Sequence, residues 1–229
     1  MRISYFLHLQ HIISYFCCRL VSNSTPGLRS LQQSDPIRRL LKVCIEKRNK
    51  LPRNEDGHRP PLFVKIAPDL SDAELEDIAK AVMEFSIDGI LVTNTSNQRP
   101  KTIVSKNRTE IGGLSGSPIR EMSTECIRKM YKLTEGNVFI VGIGGVGSGN
   151  DAYEKLKAGA SVVQIYSQMI YNGPGVVSRI RKELSEILLQ NGHRDIIDAV
   201  GLDHEEIYWE KKMNRAKKSL EAEKVIVDL

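Results

Sequence analysis

An α/β fold on a parallel sheet is predicted by two features of the sequence. Short, nearly continuous apolar runs recur at residues 61–67, 89–93, 139–143 and 161–165, the pattern of strands covered on both faces. Between them lie stretches with apolar residues at spacings of three and four, opened by capping signatures.

A first strand is expected within residues 12–21, where Tyr, Phe, Ile and Val gather. Ser34-Asp35-Pro36 sets a cap and a proline at the first helical position. The helix that follows buries Ile37, Leu40, Leu41, Cys44 and Ile45. After the run at 61–67, Ser71-Asp72-Ala73-Glu74 is a capping box for a helix burying Leu75, Ile78, Ala79, Val82 and Met83. Past the run at 89–93, Ser123 is expected to open a helix through Met130. Past 139–143, Ser148 or Asn150 caps a helix with Ala152, Leu156 and Ala158 inward. Past 161–165, residues 174–189 form a helix with Val177, Ile180, Leu184 and Leu188 as its stripe. The chain thus reads as five strand–helix units. A doubly wound sheet and part of an eight-stranded barrel both fit this rhythm.

Composition narrows the class of protein. Of 229 residues, 41% are hydrophobic and 27% charged, which excludes a disordered or collagen-like chain. Cys17, Cys18, Cys44 and Cys126 show no metal-ligand spacing and are expected as reduced thiols; no metal is expected. Residues 1–60 carry 11 Lys/Arg against 4 Asp/Glu, and the rest 22 against 24. The basic residues are scattered, without aromatic interleaving, so no nucleic-acid partner is expected. The amino-terminal apolar run has Arg2 and no acid before Asp35. Its polar interruptions at His8, Gln10 and His11 make it too short to span a bilayer; a targeting segment and a buried strand are its two readings.

Parallel α/β folds bind ligands at the carboxyl ends of their strands, and those ends are polar here. Lys65 stands in an apolar strand, where an ammonium needs an anionic or strongly accepting partner. A ligand is one such partner; Asp69 is another. Thr93-Asn94-Thr95 ends the next strand with three hydrogen-bonding side chains. Residues 142–149 hold five glycines, so backbone amides there approach an anion closely, and the helix beginning near Asn150 would add its positive end. Tyr166 and Ser167 are placed to complete that anion site, in the manner of barrels that hold a phosphate between their last loops. Gly112-Gly113-Leu114-Ser115-Gly116 is one further glycine loop.

Val64-Lys65-Ile66-Ala67-Pro68-Asp69-Leu70, Val92-Thr93-Asn94-Thr95, Gly112-Gly113-Leu114-Ser115-Gly116 with Pro118, Gly142-Ile143-Gly144-Gly145-Val146 and Gln164-Ile165-Tyr166 occur in this order. Together they resemble dihydroorotate dehydrogenase of the membrane-associated, quinone-reducing class. The resemblance runs from about Val21 to His204. It implies a (β/α)8 barrel holding FMN at its mouth, of which this chain looks like the last five strand–helix units. It implies that Lys65, Thr93, Gly116, Gly144, Gly145, Tyr166 and Ser167 contact the flavin, and that Asn94 and Thr95 hold dihydroorotate or orotate. The implied reaction belongs to pyrimidine synthesis: a base removes the C5 proton, hydride passes from C6 to flavin N5, and a ubiquinone-type acceptor reoxidises the flavin. The implied location is the mitochondrial inner membrane.

Two departures from the family pattern matter. Family members carry the base, a serine, in a loop matched here by Arg19-Leu20-Val21-Ser22-Asn23-Ser24-Thr25-Pro26-Gly27-Leu28-Arg29. Aligned without gaps from Thr25 leftward, Ser22 takes its place while Ser24 and Arg19 each replace an asparagine; aligned from Val21, one residue is deleted and Ser22 sits one place before the base. Residues 1–20 do not match the family, and its first three strand–helix units, quinone-tunnel hairpin and membrane anchor have no counterpart. The expected organisation is a divergent segment at 1–20, a partial FMN-binding barrel at 21–204, and a charged tail at 205–229. Open sheet edges are expected to self-associate. The tail carries Trp209, Met213, Ala216 and Leu220 at helical spacing, an amphipathic helix expected to pack on the domain or self-associate. A different phosphate-binding barrel enzyme and a non-catalytic fragment remain as alternatives.

Overall fold

In a computed structural model, the backbone is described for residues 16–19, 34–55 and 57–227, and side chains for 36–55 and 57–218. Five strands form one parallel sheet: β1 (Phe16–Arg19), β2 (Leu62–Ile66), β3 (Gly89–Val92), β4 (Ile140–Ile143) and β5 (Val162–Gln164). Strand order follows chain order, β1-β2-β3-β4-β5. A doubly wound sheet reverses direction at a switch point; this one never does, so the arrangement is that of consecutive units of a barrel. The strand expected at 12–21 is present as β1, and its flanks lie outside the described residues.

Helices α1 (Ser34–Asn49), α2 (Asp72–Glu84), α3 (Arg120–Leu133) and α4 (Gly149–Lys157) follow the first four strands, and α5 (Ser167–Asn172) and α6 (Gly175–Gln190) follow the fifth. Alternation along β2 divides the two faces of the sheet. Leu62, Val64 and Ile66 face the helices and join Ile37, Leu41, Leu75, Ile78, Ile90, Ile127 and Met130 in the main core. Phe63 and Lys65 point the other way, Phe63 towards a second cluster with Leu91, Val141, Ile143 and Val162.

Ser71 caps α2 as expected: Glu74 Oε2 accepts from the Ser71 amide at 2.8 Å, and Ser71 Oγ accepts from the Glu74 amide. Ser148 caps α4, accepting from the Asp151 amide at 3.2 Å, while Asn150 lies exposed inside the helix. Ser123 is not a cap. A 3-10 turn at Ser117–Ile119, with Pro118 in its first turn, starts the helix earlier, at Arg120. Ser123 is buried within α3 and donates to the Ile143 carbonyl at 2.6 Å. Two stripe positions are also corrected: Met83 is 41% exposed with Ala81 buried instead, and Val177 is 46% exposed with Val176 buried instead.

The tail is helical, α7 (Glu205–Val227). It docks through Tyr208, which is buried and donates to the Asp198 carbonyl at 3.0 Å, and through Ile207 against the core. Trp209, Met213 and Ala216 face solvent, so the expected stripe is not the docking face; Leu220 lies outside the described side chains.

Candidate active site

Parallel strands share one polarity, so the carboxyl ends of β2 to β5 meet on one rim. There Lys65, Thr93, Asn94, Thr95, Gly116, Gly144, Gly145, Tyr166 and Ser167 line a single cavity of about 660 Å³. That volume is in the range of small-molecule and cofactor sites, about 300–1,000 Å³. Every cofactor and substrate position expected from the sequence is among its walls. Ser22, the expected base, lies outside the described residues.

Lys65 reaches the cavity because it sits two residues after Phe63 on the inner face of β2. Asp69, the alternative partner, accepts from the Ser96 hydroxyl and from the Asn97 amide at 2.8 Å. Thr93 and Asn94 are 2% and 7% exposed. The sheet anchors them: the Thr93 amide donates to Ile143 O at 2.8 Å and the Asn94 amide to Ile66 O at 2.7 Å. The glycine loop at 112–116 is tied to this wall. Ser96 and Leu114 exchange backbone hydrogen bonds at 3.0 and 2.7 Å, and Arg99 donates to the Gly112 carbonyl at 2.7 Å. Ser167 Oγ bridges to Ser115 Oγ at 3.3 Å, joining that loop to the end of β5.

The loop after β4 shows why it needs glycine. Gly144 and Gly145 have φ of +128° and +71°, and a Cβ on either would fall 2.9 Å from Ser123 Cβ or 2.6 Å from Arg120 Cβ. Close packing on α3 fixes the loop from behind. Arg120 Nε donates to Gly145 O at 2.9 Å and pairs with Asp151 Oδ1 at 3.0 Å, while Asp151 Oδ2 accepts from the Gly147 amide at 2.9 Å. A carbonyl turned backward sends the amide of its own planar peptide forward. Among the described residues, the amides of Gly145 and Val146 donate to no protein acceptor.

The α4 N-terminus is largely engaged by carboxylates of the protein itself. Asp151 takes the Gly147 amide and Glu183 Oε2 takes the Gly149 amide at 2.7 Å. That amide, with Arg179, holds the Glu183 carboxyl below its ordinary pKa. Among the described residues, the loop at 144–146 thus keeps unengaged amides at the cavity wall. Tyr166 lines the cavity while 65% exposed.

Two features were missed in the sequence. Gln164 belongs to one of the motifs but carried no expected role; it lines the cavity, and its buried Oε1 has no hydrogen-bond partner among the described residues. Lys155 is fully buried behind the glycine loop, 3.0 Å from both Ser123 Oγ and Thr124 Oγ1. Its signal was available: it stands three residues after Ala152 and one before Leu156, on the inward stripe of α4. Cys126, also buried, is an inert thiol pushed up to about 12 by burial.

Residues 3–188 match the family model for dihydroorotate dehydrogenase; the match reaches well into residues 1–20, correcting the expectation that this segment diverges from the family, and it stops short of His204. The chain is 45% identical over 193 residues to the mitochondrial dihydroorotate dehydrogenase (quinone) of Mus musculus, covering 84% of this chain and 48% of that protein. It is 44% identical to the dihydroorotate dehydrogenase (quinone) of Azorhizobium caulinodans, covering 84% and 54%. A crystal structure of DHODH in complex with ferulenol from Eimeria tenella superposes with a TM-score of 0.80 at 45% identity, over 83% of this chain and 54% of that one. This chain spans about half the length of the curated relatives it matches. A sequence match over most of its length, a shared fold and the carboxyl-end cavity together make the chain a member of the dihydroorotate dehydrogenase family.

Proposed function

We propose that this chain is the carboxyl-terminal part of a quinone-dependent dihydroorotate dehydrogenase, and that its cavity contributes to an FMN site where dihydroorotate is oxidised to orotate. One observation carries the reading: nine residues from four strand ends and one intervening loop converge on one cavity. Its chemistry fits a flat, anionic cofactor. A glycine cradle that a Cβ would fill presents backbone amides, one lysine supplies positive charge, and Gln164 brings a buried, unpartnered carbonyl.

FMN, when bound, accepts two electrons from a C–H bond and passes them to a quinone. Lys65 places an ammonium beside the ring and favours negative charge on it. Loop 144–146, with the backbone at Tyr166 and Ser167, receives the phosphate. Asn94 and Thr95, held by the ends of β2 and β3, orient the substrate ring by hydrogen bonds. Ser22 is the proposed base for the C5 proton, and as an ordinary hydroxyl it needs a desolvated, hydrogen-bonded setting to act.

On this reading residues 21–204 are the flavin-binding portion and residues 205–229 a peripheral tail, with residues 16–19 supplying the first strand of the same sheet. The partners are dihydroorotate and a ubiquinone-type acceptor, and the site of action is the mitochondrial inner membrane. Among the described residues no helix is long and apolar enough to cross a membrane. β1 and β5 are the outer strands of the described sheet, and self-association along them belongs to the same proposal. The test is the absorption spectrum of the purified chain. Protein-bound flavin, released as FMN on denaturation, supports the reading. A colourless protein that binds a sugar phosphate would point to another barrel enzyme, and a colourless aggregating one to a non-catalytic fragment.

A further inference from the structure

Lys155 lies behind the glycine loop with three acceptors around its amine: Ser123 Oγ and Thr124 Oγ1 at 3.0 Å each, and Arg120 O at 3.5 Å. Both hydroxyls have already spent their protons. Ser123 donates to Ile143 O at 2.6 Å and Thr124 to Arg120 O at 3.0 Å. Carbonyls only accept, so each hydroxyl meets the lysine with a lone pair. Three acceptors call for three N–H donors, which only the ammonium has. A neutral amine would leave one lone pair facing another.

This ammonium is joined to the anion cradle. Ser123, which it holds, fixes the carbonyl of Ile143, the residue before Gly144. Arg120, whose carbonyl it approaches, fixes Gly145 O. The charged and titratable groups facing Lys155 are Arg120, Glu121 and Cys126 from α3 and Asp151 from its own helix. Gly142 and Ala160, on the strand side, carry no charge. Burial pushes the lysine down to about 7, against the attraction of Asp151 and Glu121 and with the help of Arg120. An anion placed in the cradle adds one more attraction to the charged form.

We propose that Lys155 is a positioning residue for the cradle at 144–146, and that above neutral pH, where the free amine is partly deprotonated, a phosphate monoester entering the cradle does so with proton uptake by Lys155. The inference rests on the reading that this loop receives the cofactor phosphate. It adds that the loop's geometry and affinity follow the protonation of a side chain the ligand never touches. Binding raises the lysine's pKa, so affinity is full below about pH 7 and falls as pH rises through the bound-state value. Each pH unit by which the midpoint rises corresponds to about a tenfold loss.

The test is a pH titration of the full chain by NMR, following the Lys155 side chain and the amides of Gly144, Gly145 and Val146. It is run free, with FMN and with inorganic phosphate. Working above pH ~6.5 avoids the second ionisation of the FMN monoester at about 6; inorganic phosphate ionises nearer neutrality, so its own titration is followed by phosphorus NMR in the same samples and separated from that of Lys155. In the free chain the loop amides and Lys155 should share one midpoint, and either anion should raise it. Loop amides that ignore the lysine, or a midpoint unmoved by a bound anion, overturn the proposal. If phosphate raises the midpoint while FMN does not bind, the coupling stands and the flavin reading fails. FMN bound with an unmoved midpoint sinks the coupling and leaves the flavin reading intact, and if neither anion binds, both fail. Lys155→Met should abolish the titration of the loop amides. Thr124→Ala, a milder change, removes one acceptor of the ammonium and should lower the midpoint; an unchanged midpoint counts against the proposal.

Discussion

The Arg120 guanidinium and the Asp151 carboxylate meet behind the glycine loop, Nε to Oδ1 at 3.0 Å, and each holds a different backbone group of that loop. Their exposures differ: 36% for the arginine side chain and 8% for the aspartate. Arg120→Ala therefore strands a buried carboxylate and should cost about 3 kcal/mol. Asp151→Ala leaves an arginine that water can reach and should cost about 1–2 kcal/mol. The double variant should cost no more than Arg120→Ala alone. Urea denaturation of the three variants measures this, and equal, additive losses would mean the pair does not act as a unit.

Glycine conformation and glycine space separate experimentally. Gly173 has φ of +68° and nothing within 4 Å of where a Cβ would stand, whereas Gly145 has φ of +71° and Arg120 Cα at 2.7 Å from that point. Gly173→Ala should cost the left-handed backbone alone, about 1–2 kcal/mol. Gly145→Ala adds an overlap worth about 1–3 kcal/mol and should also empty the chain of flavin. Thermal unfolding reads the first difference and the flavin absorbance ratio the second.

The fold class and the cavity walls were legible because they rest on strong signals. Strands buried on both faces leave continuous apolar runs, and polar residues at their carboxyl ends, such as Lys65 and Asn94, stand out against them. Details set by helix phase were less legible. Met83 and Val177 each directly follow a buried valine, Val82 and Val176, and apolar spacing alone does not separate neighbours at the edge of a stripe. Ser123 resembles a cap in sequence, yet it spends its hydroxyl on Ile143 across to β4. Trp209 stands out as an anchor by type, while Tyr208 beside it makes the contact. Barrel and doubly wound sheets differ in strand order, which periodicity does not encode.

Lys65 is the one lysine among the cavity walls. Lys65→Met keeps the stem's length and removes the charge, so packing on the inner face of β2 changes little. Flavin affinity should fall about tenfold or more, near 1.4 kcal/mol, with the far-UV spectrum unchanged. Fluorescence titration with FMN gives the affinity. Wild-type binding by this variant would remove Lys65 from the site.

Stability should depend on pH through two buried groups of opposite sign. Lys155 is lowered from 10.5 to about 7 in the folded chain, so between those values the unfolded chain binds the extra proton and stability rises with pH. Below about 7 the lysine is charged in both states and contributes no slope. Cys126 is raised from 9.0 to about 12. Above about 9 the unfolded thiol ionises while the folded one stays neutral, and stability is lost as pH climbs towards 12. The two trends oppose each other from about 9 to 10.5, so the rise between 7 and 9 is the clean signature of Lys155. Chemical denaturation at pH 7, 8 and 9 should give a free energy that increases across the series; His204, lowered from 6.5 by burial, adds a rise of its own that falls mainly below that range. Lys155→Met should flatten the increase and Cys126→Ala should leave it in place. A wild-type profile that is flat from 7 to 9 would show that Lys155 keeps an ordinary pKa in the folded chain.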